Sequence, residues 1–117
     1  MFHLSFLHNK IWDGKNRQKT TNVTTMDFEW DAAKAASNKI KHGVSFNFAV
    51  RVFLDPCRIE TYDDREDYGE ERWATIGYAD PTMLYVVYTI RNNDTIRLIS
   101  ARKANEREQR QYRQIHT

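Results

Sequence analysis

The stretch MLYVVYTIRNNDTIRLISARKANEREQRQY, residues 83–112, carries the pattern that decides the fold. It opens with a continuously apolar and aromatic run, MLYVVYTI, which is typical of a central strand buried on both faces. A short polar turn at residues 92–94 separates this run from a second extended run, TIRLISAR, and so short a connection favours an antiparallel hairpin. Asn105 and Glu108 then have the spacing of a helix N-terminal capping pair. The stretch predicts two paired strands followed by a C-terminal helix.

Two helices and two further strands are predicted upstream of this hairpin. The run AAKAASNKIKH lies between Asp31, a suitable N-cap, and Gly43, a suitable left-handed C-cap. The run FNFAVRVFL follows Ser45, has apolar residues at helical spacing and ends before Pro56. Beyond Pro56, the segments RIETYDD and RWATIGYA are rich in β-branched and aromatic residues, as strands are. The predicted fold is α+β, with two N-terminal helices, a four-stranded antiparallel sheet and a C-terminal helix.

Length and composition restrict the classes of protein to which the chain can belong. Its 117 residues predict one domain, residues 26–117, preceded by a poorly ordered or peripheral extension, residues 1–25. The sole cysteine, Cys57, and the lack of any zinc-ligand spacing favour a metal-free intracellular protein. No apolar run approaches the roughly 20 residues that span a bilayer, and no glycine loop of the phosphate-binding type is present. We therefore expect a soluble cytoplasmic protein without a cofactor.

Charge is distributed unevenly along the chain. Residues 55–71 contain eight Asp or Glu and two Arg, whereas residues 91–117 contain seven Lys or Arg and three Asp or Glu. This asymmetry fits a surface with one cationic end that meets a polyanion, although ordinary solvated charge also explains it. The acidic run itself is predicted to be a solvated connection between strands or a docking surface for a basic partner.

The first helix carries one group of candidate site residues. Lys34, Asn38 and Lys41 are 4 and 3 residues apart, so they share a face that can hold phosphate oxygens. Lys41 and His42 also have a simpler explanation, because cations at a helix C-terminus interact favourably with the helix dipole. A different side of this helix is predicted to lie against the core, and its members are Trp30, Ala33, Ser37 and Ile40.

Arginines in the predicted strands form a second group. Arg72 is expected on the side of its strand that also carries apolar residues. In TIRLISAR, strict alternation places Arg97 and Arg102 on opposite faces, so that each face of the strand carries one cation. Such arginines need an acidic partner or an opening to water. Either they form ion pairs with the acidic run, or Arg102 and Lys103 form an anion-binding cleft with residues of the first helix.

This set of residues has a chemical rationale. Cleavage of RNA by its own 2′-hydroxyl needs no metal, but it needs cations that stabilise the phosphorane, a proton acceptor and a proton donor. Arginine suits the first task because its planar guanidinium matches two phosphate oxygens and stays charged. His42 and Glu71 are candidate bases, and His42, Lys41 and Tyr112 are candidate acids.

From Phe28 to about Tyr112 the chain resembles the BrnT family of type II toxins. The matching stretches are FEWDAAKAASNKIKHGVSF, FLDP, DDREDYGEERWATIG and RLISARKANEREQRQY. The resemblance implies a compact RelE-like ribonuclease, neutralised by a BrnA antitoxin whose ribbon-helix-helix domain binds DNA, in a complex that represses its own operon. Asn47 and Phe48 depart from the family pattern, which often has an acidic residue after the Phe, so a base from the second helix is not expected.

The family motif also implies which positions matter. Those positions are Lys34, Asn38, Lys41, His42, Gly43, Arg72, Arg97, Ser100, Ala101, Arg102 and Lys103. The hypothesis is a growth-inhibiting, metal-independent endoribonuclease with catalytic candidates Arg102, Lys103, Arg97, Arg72, Lys41, His42 and Glu71. RNA contacts are predicted at Lys34, Asn38, Lys41, Arg102 and Lys103. The alternative is a non-catalytic module that binds nucleic acid or the antitoxin and acts as a co-repressor.

Overall fold

The computed structural model describes residues 26–92 and 94–115, together with the strand backbone at residues 2–7, 11–12, 18–19 and 25. The strands are β1 (Phe2–Leu7), β2 (Ile11–Trp12), β3 (Gln18–Lys19), β4 (Thr25–Trp30), β5 (Ile59–Asp63), β6 (Arg72–Ala79), β7 (Thr82–Arg91) and β8 (Thr95–Lys103). The helices are α1 (Ala32–His42), α2 (Phe46–Ala49), a 3₁₀ helix (Val50–Leu54) that continues α2, and α3 (Glu106–Ile115). No described helix is both long and apolar enough to cross a membrane.

Six strands form one mixed sheet in the order β1-β4-β8-β7-β6-β5, and β2 pairs separately with β3. Within the large sheet β4 and β8 run parallel, whereas every other neighbouring pair is antiparallel. The hairpin β7–β8 has the short connection that the sequence predicts, β6 and β7 are joined by a turn at residues 80–81, and β5 reaches β6 through the longer acidic connection, residues 64–71.

The predicted order of two N-terminal helices before a four-stranded antiparallel sheet is wrong. Strand β4 precedes α1 and pairs in parallel with β8, so residues 25–103 form a five-stranded mixed sheet, to which β1 adds a sixth strand. The segment MDFEW alternates apolar and acidic residues, and this period of two is the signal of a half-buried strand. Phe28 and Trp30 are buried in the core as a result. The prediction for residues 1–25 falls mostly outside the described residues and stays a prediction.

The main core lies between the sheet and the helices α1, α2 and 3₁₀. Its largest fully buried side chains include Phe28, Phe46, Phe53, Leu84 and Leu98. The Phe28 and Phe53 rings are 5.2 Å apart between centroids, which is within the range of favourable aromatic pairs. Full burial of each such side chain contributes about 1.5–3 kcal/mol.

The opposite face of the sheet is covered at one end by α3. A smaller cluster forms there from buried Ile76, Met83 and Ala104, packed against Tyr85 and Tyr112. Helix α3 is otherwise polar, and it is held by specific bonds such as the one from the Tyr112 hydroxyl to Asp55 Oδ2, at 2.8 Å. The domain therefore has three layers where α3 lies, and no other described helix covers this sheet face.

Helix α1 does not pack on the side that the sequence predicts. Ile40 is 87% exposed, whereas Asn38 is the buried residue of this helix. The reason is that β4 pairs with β8 only at residues 95–97, so the backbone of Ala101 pairs with β7 on one side and with no described strand on the other. Asn38 takes that place, because its Oδ1 accepts from the Ala101 N–H at 3.0 Å and its Nδ2 donates to the Ala101 carbonyl at 2.8 Å. The same Nδ2 donates to the carbonyl of Val44 at 3.0 Å.

Candidate functional site

A β-bulge in β8 sets the direction of its arginines. Val87 and Tyr88, which are consecutive in β7, lie opposite Ser100 and Leu98 of β8, so Ile99 is an extra residue. A bulge changes the face toward which the following side chains point. Leu98 and Ala101 accordingly both join the main core, although they are three residues apart.

Because of the bulge, Arg97 and Arg102 lie on the same face of the sheet. Arg97 is opposite Thr89 and Arg102 is opposite Tyr85, and these partners are four residues apart on a regular part of β7. The prediction of one cation on each face is therefore wrong, since it assumed strict alternation. Arg72 lies on this face too, because Ile76, four residues further along β6, is opposite Tyr85. We call the surface formed by Arg72, Arg97 and Arg102 the arginine face.

Arg102 forms the best-defined ion pair of this face. Its two terminal nitrogens each lie 2.8 Å from a carboxylate oxygen of Glu108, and its guanidinium lies 4.2 Å from the centroid of the Tyr85 ring. Burial raises the pKa of Glu108, but the hydrogen bonds from Arg102 and the Asn105 amide outweigh it, so the net shift is downward. The same pairing raises the pKa of Arg102. Both groups therefore stay charged at neutral pH, and the pair positions Arg102 at the start of α3.

The other two arginines lie farther from their carboxylates than Arg102 does. Arg97 Nη1 lies 3.3 Å from a carboxylate oxygen of Glu29. Arg72 stacks on the Tyr68 ring, 3.9 Å from the centroid, and has only a long contact of 3.9 Å with Glu70. The Arg72 Nε is buried without a hydrogen-bond partner among the described residues. An unsatisfied buried donor costs about 1–3 kcal/mol, so this nitrogen is a cost to the stability of the fold.

The acidic connection is anchored to the sheet near this face. Arg65 makes two hydrogen bonds of 2.8 and 2.9 Å to Asp63, and the Tyr68 hydroxyl lies 3.4 Å from the same carboxylate. The bonds from Arg65 lower the pKa of Asp63. At the far end of the connection, the carbonyl of Glu71 accepts a bond of 2.6 Å from Thr89. Glu70 of the acidic run thus lies near Arg72, whereas Arg97 and Arg102 pair with carboxylates outside the run, those of Glu29 and Glu108.

The predicted helix residues do not join the arginine face. Ala35 of α1 packs in the main core, so Lys34, Lys41 and His42 belong to the layer on the other side of the sheet. Strand alternation turns the Cα–Cβ bond of Lys103 away from the face of its neighbour Arg102. Asn38 is buried, and its amide is used within the fold. Their roles in RNA binding or catalysis stay predictions.

Sequence reasoning missed several contacts of the arginines. Glu108 has a visible signal as a capping residue, and it does fill that role through the Asn105 N–H at 2.9 Å. Its second role, as the partner of Arg102, depends on the direction in which α3 leaves β8. No sequence pattern marks the other three partners of the arginines, Tyr68, Tyr85 and Glu29. Each contacts its arginine only because of strand pairing or because of the course of the connection between β5 and β6.

Together these features define a small protein of helices packed on one mixed sheet, with three partly exposed arginines on one sheet face that are suited to binding anions. A family model described as "Ribonuclease toxin, BrnT, of type II toxin-antitoxin system" matches residues 30–108 of the 117. The chain therefore belongs to the BrnT family of ribonuclease toxins, as its motifs predict.

Comparison with solved structures supports the same fold. The crystal structure of the Brucella abortus ribonuclease toxin BrnT is similar, with a TM-score of 0.52 and 22% sequence identity. The match covers 68% of this chain and 96% of that chain. No curated protein sequence matches this chain.

Proposed function

We propose that this chain is a metal-independent endoribonuclease that cleaves RNA by attack of the 2′-hydroxyl on the adjacent phosphate, in the manner of RelE-like toxins. The observation that carries the proposal is the match of residues 30–108 to a family of ribonuclease toxins. The arginine face is the surface that we assign to the RNA phosphates, in place of a cleft between Arg102 and the first helix.

The geometry of Arg72 and Arg97 supports this assignment. Their strands are separated by β7 alone, so their Cα atoms are about 10 Å apart. The Arg72 side chain is 22% exposed, so a phosphoryl oxygen can approach its guanidinium, and the Tyr68 ring below the guanidinium limits its motion. Fixed guanidinium groups stabilise the charge that develops on a phosphorane more effectively than mobile ones. Arg72 is therefore our principal candidate for transition-state stabilisation.

Glu71 stays a candidate base. It is exposed and immediately precedes Arg72 at the start of β6, whereas His42 lies behind the sheet. We keep Lys41, His42 and Lys34 as candidates for contact with a longer RNA that passes around the sheet edge.

The partner that we propose is a BrnA-type antitoxin with a ribbon-helix-helix DNA-binding domain. Membership of a type II toxin family implies an antitoxin partner. In this proposal the antitoxin blocks RNA cleavage in the cytoplasm, free toxin arrests growth, and DNA is contacted only through the antitoxin.

A non-catalytic co-repressor module is the second candidate. The observation that favours it is that each arginine of the face already has a carboxylate within 4 Å, from Glu29, Glu70 or Glu108. RNA phosphates would have to compete with these carboxylates. Such a module would retain RNA intact, with an affinity that falls steeply with salt.

The decisive experiment incubates purified protein with a defined single-stranded RNA, with and without EDTA, and maps the cleavage ends. We expect 2′,3′-cyclic phosphate termini and the same rate in EDTA. Arg72→Ala should lower the rate about 100-fold, the scale seen when one transition-state donor is removed. Arg51→Ala is the matched control, because Arg51 is exposed on the 3₁₀ helix in the opposite layer, and its rate should not change. Intact RNA bound by an inactive wild type would support the module, and cleavage abolished by EDTA would refute the mechanism.

A further inference from the structure

A groove of about 560 Å³ lies between α3 and strands β5 to β7. Its floor includes Ile59, Ile76 and Tyr85, which are opposite one another on three successive strands. Gln111 and Gln114 of α3 line its wall. The volume is within the range of sites that enclose a small organic ligand.

The groove is continuous with the arginine face. The same row across the sheet continues from Tyr85 to Arg102, whose guanidinium lies over the Tyr85 ring. Glu108 both lines the groove and binds Arg102. A ligand phosphate at Arg102 would therefore place its attached nucleoside at the mouth of this groove.

The lining suits a nucleobase. Two isoleucines and one tyrosine ring form an apolar floor, and the flat face of a base stacks well on aromatic and apolar side chains. The amide of Gln111 is of the residue type that offers both donors and an acceptor to a base edge. The positive charge of Arg102 balances the negative charge of Glu108. Arg107 therefore gives this end of the groove a net positive charge, which attracts the RNA backbone.

We infer that this groove binds a nucleobase beside a phosphate held by Arg102, at one end of the arginine face, and so determines the sequence preference of RNA cleavage. The inference rests on the proposed ribonuclease function and deepens it. A segment of the antitoxin is the other possible occupant. The groove combines an apolar floor with a side-chain amide, and its floor lies in the same row as Arg102. This combination favours a nucleotide over an apolar peptide.

The test fills the groove without disturbing the core. Gln111→Trp adds bulk at an exposed residue that lines the groove, and Arg110→Trp adds the same bulk at an exposed residue of α3 outside the lining. Cleavage rates are measured on a set of RNAs that differ only in the bases flanking the cut. We expect wild type to discriminate between bases, and Gln111→Trp to slow cleavage of the preferred RNA about tenfold, to the rate of the others, as for the loss of one stacked base. Arg110→Trp should leave the ratio of rates unchanged.

Parallel binding measurements with the same RNAs and with the antitoxin separate the two proposals. If wild type cleaves none of the RNAs but binds them with a base preference that Gln111→Trp removes, the ribonuclease proposal fails and the groove assignment stands. If Gln111→Trp retains the wild-type ratio of rates, or wild type shows no base preference in cleavage or binding, the groove assignment is overturned. Loss of antitoxin binding alone in Gln111→Trp would overturn it as well and identify a protein-docking groove.

Discussion

Replacement of Asn38 by alanine should destabilise the fold by about 3 kcal/mol. The substitution removes three hydrogen bonds, two to the backbone of Ala101 and one to the carbonyl of Val44. All three bonds are buried, and a buried backbone group left without a partner costs about 1–3 kcal/mol. Because water can enter the space left by the amide, we take the lower end of this range for each group.

Urea unfolding followed by circular dichroism measures this loss. The midpoint should fall while the slope of the transition stays constant, which is the signature of a change in stability alone. For a domain of this size, about 3 kcal/mol corresponds to a decrease of about 10–15 °C in Tm. Lys34→Ala is the matched control, because Lys34 is exposed on the same helix, and its effect should stay within about 0.5 kcal/mol.

The same pair of variants separates a structural role from an RNA contact. The sequence spacing groups Asn38 with Lys34 and Lys41 as an RNA-binding surface, whereas the structure uses its amide to hold β8. If Asn38→Ala loses less than about 1 kcal/mol of stability while its affinity for RNA falls, our reasoning is refuted.

Three further predictions concern ion pairs and exposure. Glu108→Gln should cost about 1–2 kcal/mol near neutral pH, because the charge opposite Arg102 is lost. Folding lowers the pKa of Glu108, so the ionised carboxylate stabilises the fold above the ordinary pKa of 4.5. This stabilisation is lost as the pH falls through the pKa of the folded state. Unfolding curves at several pH values should therefore show that the difference in stability between wild type and Glu108→Gln becomes smaller in acid. Asp63→Asn should cost about 1 kcal/mol, since Arg65 is largely exposed, and limited trypsinolysis after Arg65 should become faster than in wild type. Ile40→Gln should change stability by less than about 0.5 kcal/mol in urea, and a loss above about 1 kcal/mol would mean that this side of α1 is packed.

Capping motifs, which involve residues close together in the chain, predicted where the helices begin and end. Asp31 caps α1 through bonds of 2.8 and 3.1 Å, and Gly43 ends it at a φ of 72°, as expected from their residue types. Asn105 and Glu108 form the reciprocal capping pair at the start of α3. Each of these interactions spans only a few residues, so local sequence was sufficient to predict it.

The arginine face was predicted only in part. The identity of Arg72, Arg97 and Arg102 as candidates came from their position among strand residues, but their common face did not. It depends on the bulge at Ile99, and nothing in TIRLISAR distinguishes a bulged strand from a regular one.

The sequence alone determined the family, the helix termini, and the acidic and cationic segments at residues 55–71 and 91–117, because motifs, caps and charge runs depend on residues close together in the chain. Tertiary structure alone decided three features. Strand β4 joins the sheet beside β8, the Asn38 side chain forms hydrogen bonds with the backbone of β8 where no described strand pairs with it, and three arginines share one face. The first two features depend on contacts between segments more than 60 residues apart, such as Asn38 with Ala101, and the third depends on the register in which β6, β7 and β8 pair. A shift of one residue in register turns every side chain to the other face, and only the packing of the whole domain selects the register.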